Sequence, residues 1–231
     1  DGRAAWLRRL AWKGPGHPLE VGTVERLTPP SVGGVVHVAA SQDGGRMAVL
    51  NNRGEMHVWS AAETEAWRRW DAGPVQYCSM DAGGRRIGAL RGGGGFEIWE
   101  VDSARSLLRV EGRSFLLGAL SPDGRWWAAG DAAWLGIWDL QTRALCHERQ
   151  RSVRSGCNFV WSTEGGRLLV QDEDAEALVL EASTWRTLHA VPAPPMMRLA
   201  VLTPEWMAMP GEKSGVDLWL RRDLEGTAEK R

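Results

Sequence analysis

Short apolar runs, each closed by a Gly-, Asp- or Ser-bearing turn, follow one another along most of the chain. The stretch 115–148 shows the unit most fully. Phe115-Leu116-Leu117-Gly118-Ala119-Leu120 is apolar, Ser121-Pro122-Asp123-Gly124 interrupts it, and Trp126-Trp127-Ala128-Ala129 resumes it. Gly130-Asp131-Ala132-Ala133 then leads into Leu135-Gly136-Ile137-Trp138, and Asp139-Leu140-Gln141-Thr142 leads into a more polar run over 143–148. Asp-Gly between apolar runs is a hairpin signal, because Gly accepts positive φ at little cost. The unit therefore reads as four antiparallel strands. Runs that are apolar throughout, rather than alternating, predict a sheet buried on both faces, and the polar fourth run predicts an outer edge.

The unit repeats. A turn followed by Arg occurs at Asp1-Gly2-Arg3, Asp43-Gly44-Gly45-Arg46, Asp81-Ala82-Gly83-Gly84-Arg85, Asp123-Gly124-Arg125 and Glu164-Gly165-Gly166-Arg167, about 40 residues apart. Trp59, Trp99, Trp138 and Trp219 keep the same period, with Val21 and Leu180 in that slot of the weaker copies. First strands are expected within 35–40, 75–80, 153–161 and 197–202, second strands at 47–50, 87–90 and 168–170, and third strands at 56–59, 96–99 and 216–219. Fourth strands are expected at 65–70 and 106–110. Two landmarks sharing a period of this length, with β character, predict propeller blades. The 28 glycines and 11 prolines fall at the punctuation points and leave little room for an amphipathic helix. The expected fold is all-β: a propeller of about six four-stranded blades forming a single domain over 1–231, with units at about 1–31 (partial), 32–72, 73–112, 113–151, 152–191 and 192–231. Matching Asp1-Gly2-Arg3 to Asp123-Gly124-Arg125 implies that the strand before the first turn is missing, so the chain is expected to be a fragment of a longer protein.

Ser121-Pro122-Asp123-Gly124-Arg125 together with Ile137-Trp138-Asp139-Leu140 resembles the WD-repeat β-propellers, and the coupled period extends that resemblance over essentially the whole chain. Departures are marked. The only Gly-His pair is Gly16-His17, out of place, and the Trp-Asp ending survives only at Trp138-Asp139, becoming Trp59-Ser60, Trp99-Glu100 and Trp219-Leu220 elsewhere. The turn Asp that the family places six residues before that Trp is replaced by Arg53, Gly93, Ala132 and Lys213, and kept only as Asp174. The family's buried polar network is thus expected to be mostly absent, leaving cohesion to apolar packing, including 14 tryptophans. The pattern is most similar to divergent bacterial members, often C-terminal to kinase, protease-like or nucleotide-dependent signalling domains. The resemblance implies a non-catalytic scaffold for protein–protein interaction.

Composition narrows the partners. Lys+Arg 28 against Asp+Glu 29 gives no field to draw the chain to nucleic acid or an anionic membrane. No apolar run approaches the roughly 18 residues of a membrane span. Cys78, Cys146 and Cys157 suggest neither a disulfide frame nor a zinc site, and favour a reducing, cytoplasmic setting. Nucleophile-elbow, zincin, Walker and Cys-x-x-Cys spacings do not occur, and neither an enzyme nor a cofactor is expected. The rival reading is a lactonase- or hydrolase-type propeller enzyme with carboxylates, His or a metal gathered at the central channel.

The remaining polar features read as follows. Arg91-Gly92-Gly93-Gly94-Gly95 is expected to be a flexible inter-strand loop, since no helix follows it to supply amides to a phosphate. Cys146 is expected to face inward as a small filler on a fourth strand. The acidic run 171–176 is expected to be a solvated turn rather than a calcium loop. In a propeller the links between blades share a face with the turns between second and third strands. Arg149, Arg151 and Arg154 in one link should therefore sit near Asp131 and Asp172 to Asp174. With Arg113 in the link before and Asn52 and Arg91 in the inner turns, they build a mixed-charge face suited to a protein or peptide partner. Trp67, Trp70 and Trp185 fall on polar outer strands, and any that are exposed would be rival anchors.

Overall fold

The structure, a computed structural model, describes residues 6–11, 20–26, 34–60, 68–151, 159–173, 176–192, 201–203, 206–210 and 216–220. Every described element is a strand, and each pairs antiparallel with its neighbour in sequence, as short turns dictate. Blade 1 comprises Trp6–Ala11 and Glu20–Arg26. Blade 2 comprises Val35–Ala40, Arg46–Asn51, Glu55–Ser60 and Arg68–Asp71, and blade 3 comprises Val75–Met80, Arg86–Arg91, Phe96–Glu100 and Arg105–Val110. Blade 4 comprises Leu117–Leu120, Trp126–Gly130, Trp134–Asp139 and Ala144–Gln150, and blade 5 comprises Phe159–Trp161, Arg167–Glu173, Glu176–Glu181 and Thr187–Pro192. Val201–Leu202, Trp206–Pro210 and Val216–Leu220 form blade 6.

The two middle strands of blades 2 to 5 are buried on both faces, while the fourth strands are largely exposed. Adjacent residues point to opposite sides of a sheet, so each blade feeds two cores. Trp126 enters the core with Phe159, Trp161 and Leu168, and Trp127 enters the one with Leu90, Phe96 and Ile98. The hydrophobic core is therefore a series of seams. Blade 2 contributes Ala48, Leu50 and Val58 to the next seam, against Cys78, Met80, Ile87 and Trp99 of blade 3. Fully burying one such side chain stabilises the fold by roughly 1.5–3 kcal/mol.

Each first turn is pinned from within. Ser41 Oγ accepts the Arg46 N–H at 2.8 Å and donates to Asp43 Oδ1 at 2.6 Å. Ser121 accepts from Trp126 N–H, Ser162 from Arg167 N–H, and Asp81 Oδ1 from Arg86 N–H. All four pins are buried. The glycine that closes these turns has φ of 71°, 66°, 71° and 78° at 44, 84, 124 and 165, where a side chain would be strained. These local pins, at residues 41, 81, 121 and 162, add polar ties to the apolar packing between blades.

Candidate partner-binding face

The links between blades and the turns between second and third strands do lie together. Asn52 N–H donates to Gly34 O at 2.8 Å, Ala72 N–H to Gly54 O at 2.8 Å, Gly92 N–H to Pro74 O at 2.5 Å, and Arg151 N–H to Ala133 O at 3.0 Å. The end of the glycine run is tied into the neighbouring link. Gly94 and Gly95 have φ of 94° and 90°, Gly95 N–H donates to Arg113 O, and a Cβ at Gly95 would sit 2.0 Å from Val110 O. Only glycine lets the backbone pass there, and the passage joins two links to one turn.

Arg113 is a presented cation. Its Nε donates to Asp131 Oδ2 at 3.3 Å, its guanidinium lies 4.1 Å from the Trp134 ring centre, and its side chain is 43% exposed. Trp134 is buried beneath it, with Nε1 donating to Glu148 Oε2 at 3.0 Å. Arg91 is turned inward: its Nη1 donates to Glu97 Oε2 at 2.6 Å, with side chains only 15% and 9% exposed. Arg151 is only 7% exposed, its guanidinium donating to Asp131 O at 3.0 Å and Gln171 O at 2.8 Å and lying over Phe159. These two arginines shape the face from inside. Asn52 is exposed, and its side-chain oxygen accepts the Gly34 N–H at 3.2 Å.

Arg149 is half-buried near the end of the fourth strand of blade 4 rather than in the link. Asp172 lies inside Arg167–Glu173, and Arg154 lies outside the described residues. A cleft of about 640 Å³ opens between blades 2 and 3, lined by Asn52, Arg53, Asp71, Gln76 and the Gly73-Pro74 backbone. Beneath it Asn51 donates to Glu55 Oε2 at 2.7 Å, and His57 Nε2 lies 3.4 Å from the same oxygen; burial holds the His57 pKa below its usual value.

No family model matches the sequence, and no curated protein matches it. Among solved structures the chain is similar to the β-propeller domain of Myceliophteria thermophila Cps50 (Swd1), with a TM-score of 0.64, 13% identity, and coverage of 81% of this chain and 67% of that one. The fold is a β-propeller of WD-repeat type. At that identity the likeness carries the fold alone.

Other sequence expectations resolve around this propeller. The acidic run is not all turn: Gln171 is fully buried opposite Ala177, and Glu173 pairs with Glu176, so the strands run on and leave only 174–175 between them. Cys146 is exposed rather than inward, because a bulge opposite Ile137 and Trp138 rotates it out, and its Sγ donates to Ile137 O. Among the described cysteines the buried thiol is Cys78, 3.4 Å from His37 Nδ1, and burial pushes its pKa up to about 12, while Cys157 lies outside the described residues. Trp185 is half-buried against Trp126, Trp161 and His147, and Trp70 against Trp99, so neither is a free anchor. Trp67 lies outside the described residues. Among the described residues, no group of three or more His, Cys, Asp or Glu is placed to hold a metal, and no helix is long and apolar enough to cross a membrane.

Two positioning groups escaped the sequence reading. Arg46 Nη1 donates to Gly84 O of the next blade at 2.9 Å, and Arg86 Nη1 to Gly124 O one blade on. Structural register aligns Arg46 with Arg86 and Trp126, since Met47, Ile87 and Trp127 pair with Trp59, Trp99 and Trp138. The sequence alignment on Arg85 and Arg125 was one residue early. The recurring partner, a turn carbonyl, has no side-chain identity to reveal it.

Proposed function

We propose that this chain is a non-catalytic scaffold that presents its loop face to another protein, as the C-terminal docking or sensing part of a longer cytoplasmic signalling protein of bacterial type. The observation that carries the reading is Arg113, half-exposed yet held over Trp134 and against Asp131. A guanidinium already fixed in place loses little entropy on contact, and Arg over an aromatic is a side chain rich in interface energy. Arg113, Asn52 and Asp131 form the contact surface, extended by Arg149, Arg154 and Asp172, with Arg91 and Arg151 holding its shape. Near-zero net charge favours a protein over nucleic acid as partner.

A photo-crosslinking amino acid at Asn52, introduced in the host cell, should trap one discrete partner, while the same group at the exposed outer-edge residue Leu145 traps none. Arg113→Ala should reduce the Asn52 product several-fold without lowering the unfolding free energy by more than about 1 kcal/mol. Equal capture from both positions would defeat the loop-face reading.

A further inference from the structure

Blades 3 and 5 carry the same three charges at matching places. In blade 3, Arg86 lies opposite Glu100, with Arg105 on the other side of that acid. In blade 5, Arg167 lies opposite Glu181, and the Arg186 carbonyl accepts the Glu181 N–H at 3.0 Å. The acid is held alike in both, Ser103 donating to Glu100 Oε2 and Thr184 to Glu181 Oε2, each at 2.6 Å. The arginines are not held alike. Arg86 Nη1 donates to Gly124 O in the turn of the next blade, and Arg105 Nη2 lies 3.8 Å from Glu100 Oε2. In blade 5 neither guanidinium makes a hydrogen bond or an ion pair among the described residues. Arg167 is half-buried, Arg186 is exposed, and both line a cleft of about 520 Å³ together with Glu181, Thr187 and His189.

The cause lies in the spacing of the next blade. Between the pairs Ala40↔Met47, Met80↔Ile87, Leu120↔Trp127 and Trp161↔Leu168 the chain has six residues, but between Leu202 and Met207 of blade 6 it has four. The bond from one first turn to the next steps back to match. Ala82 N–H donates to Pro122 O, two residues past its strand, whereas Thr163 N–H, from the same turn position, donates at 3.2 Å to Leu202 O, still within its strand. Arg46 and Arg86 end on the carbonyls of Gly84 and Gly124, the fourth residues of their partner turns. A connection two residues shorter has no counterpart to that position. Blade 5 therefore keeps the cation of the slot without the acceptor that the earlier seams supply.

We propose that Arg167, Arg186 and Thr187 form a carboxylate-binding site on the face of the first turns, opposite the loop face, and that it takes an aspartate or glutamate side chain of a partner protein. An external oxygen then stands where the turn carbonyl stands in the seams before it. A guanidinium offers two parallel N–H groups, which match the two oxygens of a carboxylate. Two guanidiniums against the Glu181 carboxylate leave one positive charge, which suits a singly charged group better than a phosphate dianion. Glu181 is already engaged by the Thr184 hydroxyl and does not close the cleft. The site shares no residue with the Arg113 surface, so neither reading depends on the other.

The probe is N-acetylglutamate α-amide, whose single charge is its side-chain carboxylate, titrated into the full chain isotope-labelled at arginine for NMR. The Nε–Hε signals of Arg167 and Arg186, each identified by its loss in Arg167→Gln or Arg186→Gln, should shift together and saturate with a dissociation constant of roughly 1–10 mM. N-acetylglutamine α-amide, neutral and of nearly the same shape, should leave them in place. Each substitution should weaken binding at the remaining arginine at least about fivefold. Glu181→Gln should instead tighten it by about the same factor, because an opposing charge is removed, and a merely disturbed cleft would not bind more tightly. Arg105→Gln in blade 3 should change nothing. No saturation by about 100 mM, an equal response to the neutral amide, or weaker binding in Glu181→Gln overturns the proposal. So does inorganic phosphate that saturates the same signals at a lower concentration, because the site would then be built for phosphate.

Discussion

Two seams of this propeller use the same positions for opposite chemistry. Between blades 2 and 3, Arg46 forms a 2.9 Å ion pair with Asp102 and donates to Gly84 O, while Arg68 Nε donates to Asp102 O at 2.9 Å. Between blades 4 and 5 the residue in the Arg46 position is Trp126, packed edge-on against Trp185 at 4.9 Å, with His147 also stacked on Trp185. In this slot the first seam is polar and partly exposed, with Arg46 and Asp102 side chains 24% and 57% exposed; the second is apolar, with Trp126 at 8%. A blade requires that the slot be filled and the turn be held. It does not require one chemistry, and the two solutions should differ in size and in salt dependence.

The largest effect should come from the aromatic seam. Trp126→Ala removes a buried indole and leaves a cavity, and should cost about 3–5 kcal/mol by denaturant unfolding. Trp126→Arg should cost nearly as much, because Ser183 stands two residues before Trp185 where blade 3 has Asp102 two residues before Ala104. If Trp126→Arg were tolerated within 1 kcal/mol, the two seams would be interchangeable and the contrast would be void.

On the polar side, Arg46→Ala should cost only about 1 kcal/mol, since the ion pair is largely solvent-screened and the carbonyl bond is a single hydrogen bond. Raising salt from 0.05 to 1 M should shrink part of that loss and leave the Trp126→Ala loss unchanged or larger. A salt-independent Arg46→Ala loss would mean that the Gly84 carbonyl, not Asp102, is the partner that matters.

The contrast also marks what the sequence could reveal. The period of the turns and of Trp59, Trp99 and Trp138 carried the repeated four-stranded sheet, because turn chemistry and large buried rings leave residue-type signatures. Arg46 and Trp126 share a slot but no chemistry, so no residue pattern joins them. Gly88 and Gly118 escaped notice for a related reason: the Trp127 ring lies where a Cβ of either would be, at 2.4 and 2.3 Å, and that fit exists only in three dimensions. On the loop face the sequence expected Arg149, Arg151 and Arg154 near Asp131, and did not single out the Arg113–Asp131 pair. Nor did it reveal the inward turn of Arg91 and Arg151, because both are set by carbonyls and a carboxylate that become neighbours only once the blades pack.

Between these seams sits a pin that breaks the Ser pattern. Asp81 occupies the position of Ser41, Ser121 and Ser162, and burial raises its pKa despite hydrogen bonds from Arg86 and Arg85 N–H. An acid whose folded pKa lies above its unfolded one binds its proton more tightly when folded. Its contribution is therefore most favourable below the unfolded value and is lost as pH rises to the folded value, leaving a penalty at neutrality. Asp81→Ser should remove that penalty and keep an acceptor for Arg86 N–H, stabilising the protein at pH 7 by about 0.5–1 kcal/mol. The gain should shrink as pH falls below about 4, where the native carboxyl is protonated in both states. A gain that is flat from pH 3 to 8 would mean that desolvation of the carboxylate is not its source.

The smallest effect separates backbone from side chain in the turn that delivers each seam's far partner. Ala104, Arg143 and Trp185 hold the same turn position in blades 3, 4 and 5, with φ of 53°, 59° and 59°. A bulge follows each, in register shifts after Ser106, Leu145 and Thr187. Left-handed backbone is costly for any residue with a Cβ, and glycine relieves it. Ala104 and the exposed Arg143 give little packing in return, so Ala104→Gly and Arg143→Gly should each stabilise the fold by about 0.5 kcal/mol, read as a rise in the unfolding midpoint. Trp185 shares the strain but fills the aromatic seam, so Trp185→Gly should destabilise by about 2–3 kcal/mol even though its backbone is relieved in the same way. Identical responses at all three positions would show that the turn, rather than what it carries, decides stability here. Opposite signs at 104 and 185 would show that the aromatic seam is held together against its own backbone, whereas the polar one tolerates a partner turn with almost nothing on it.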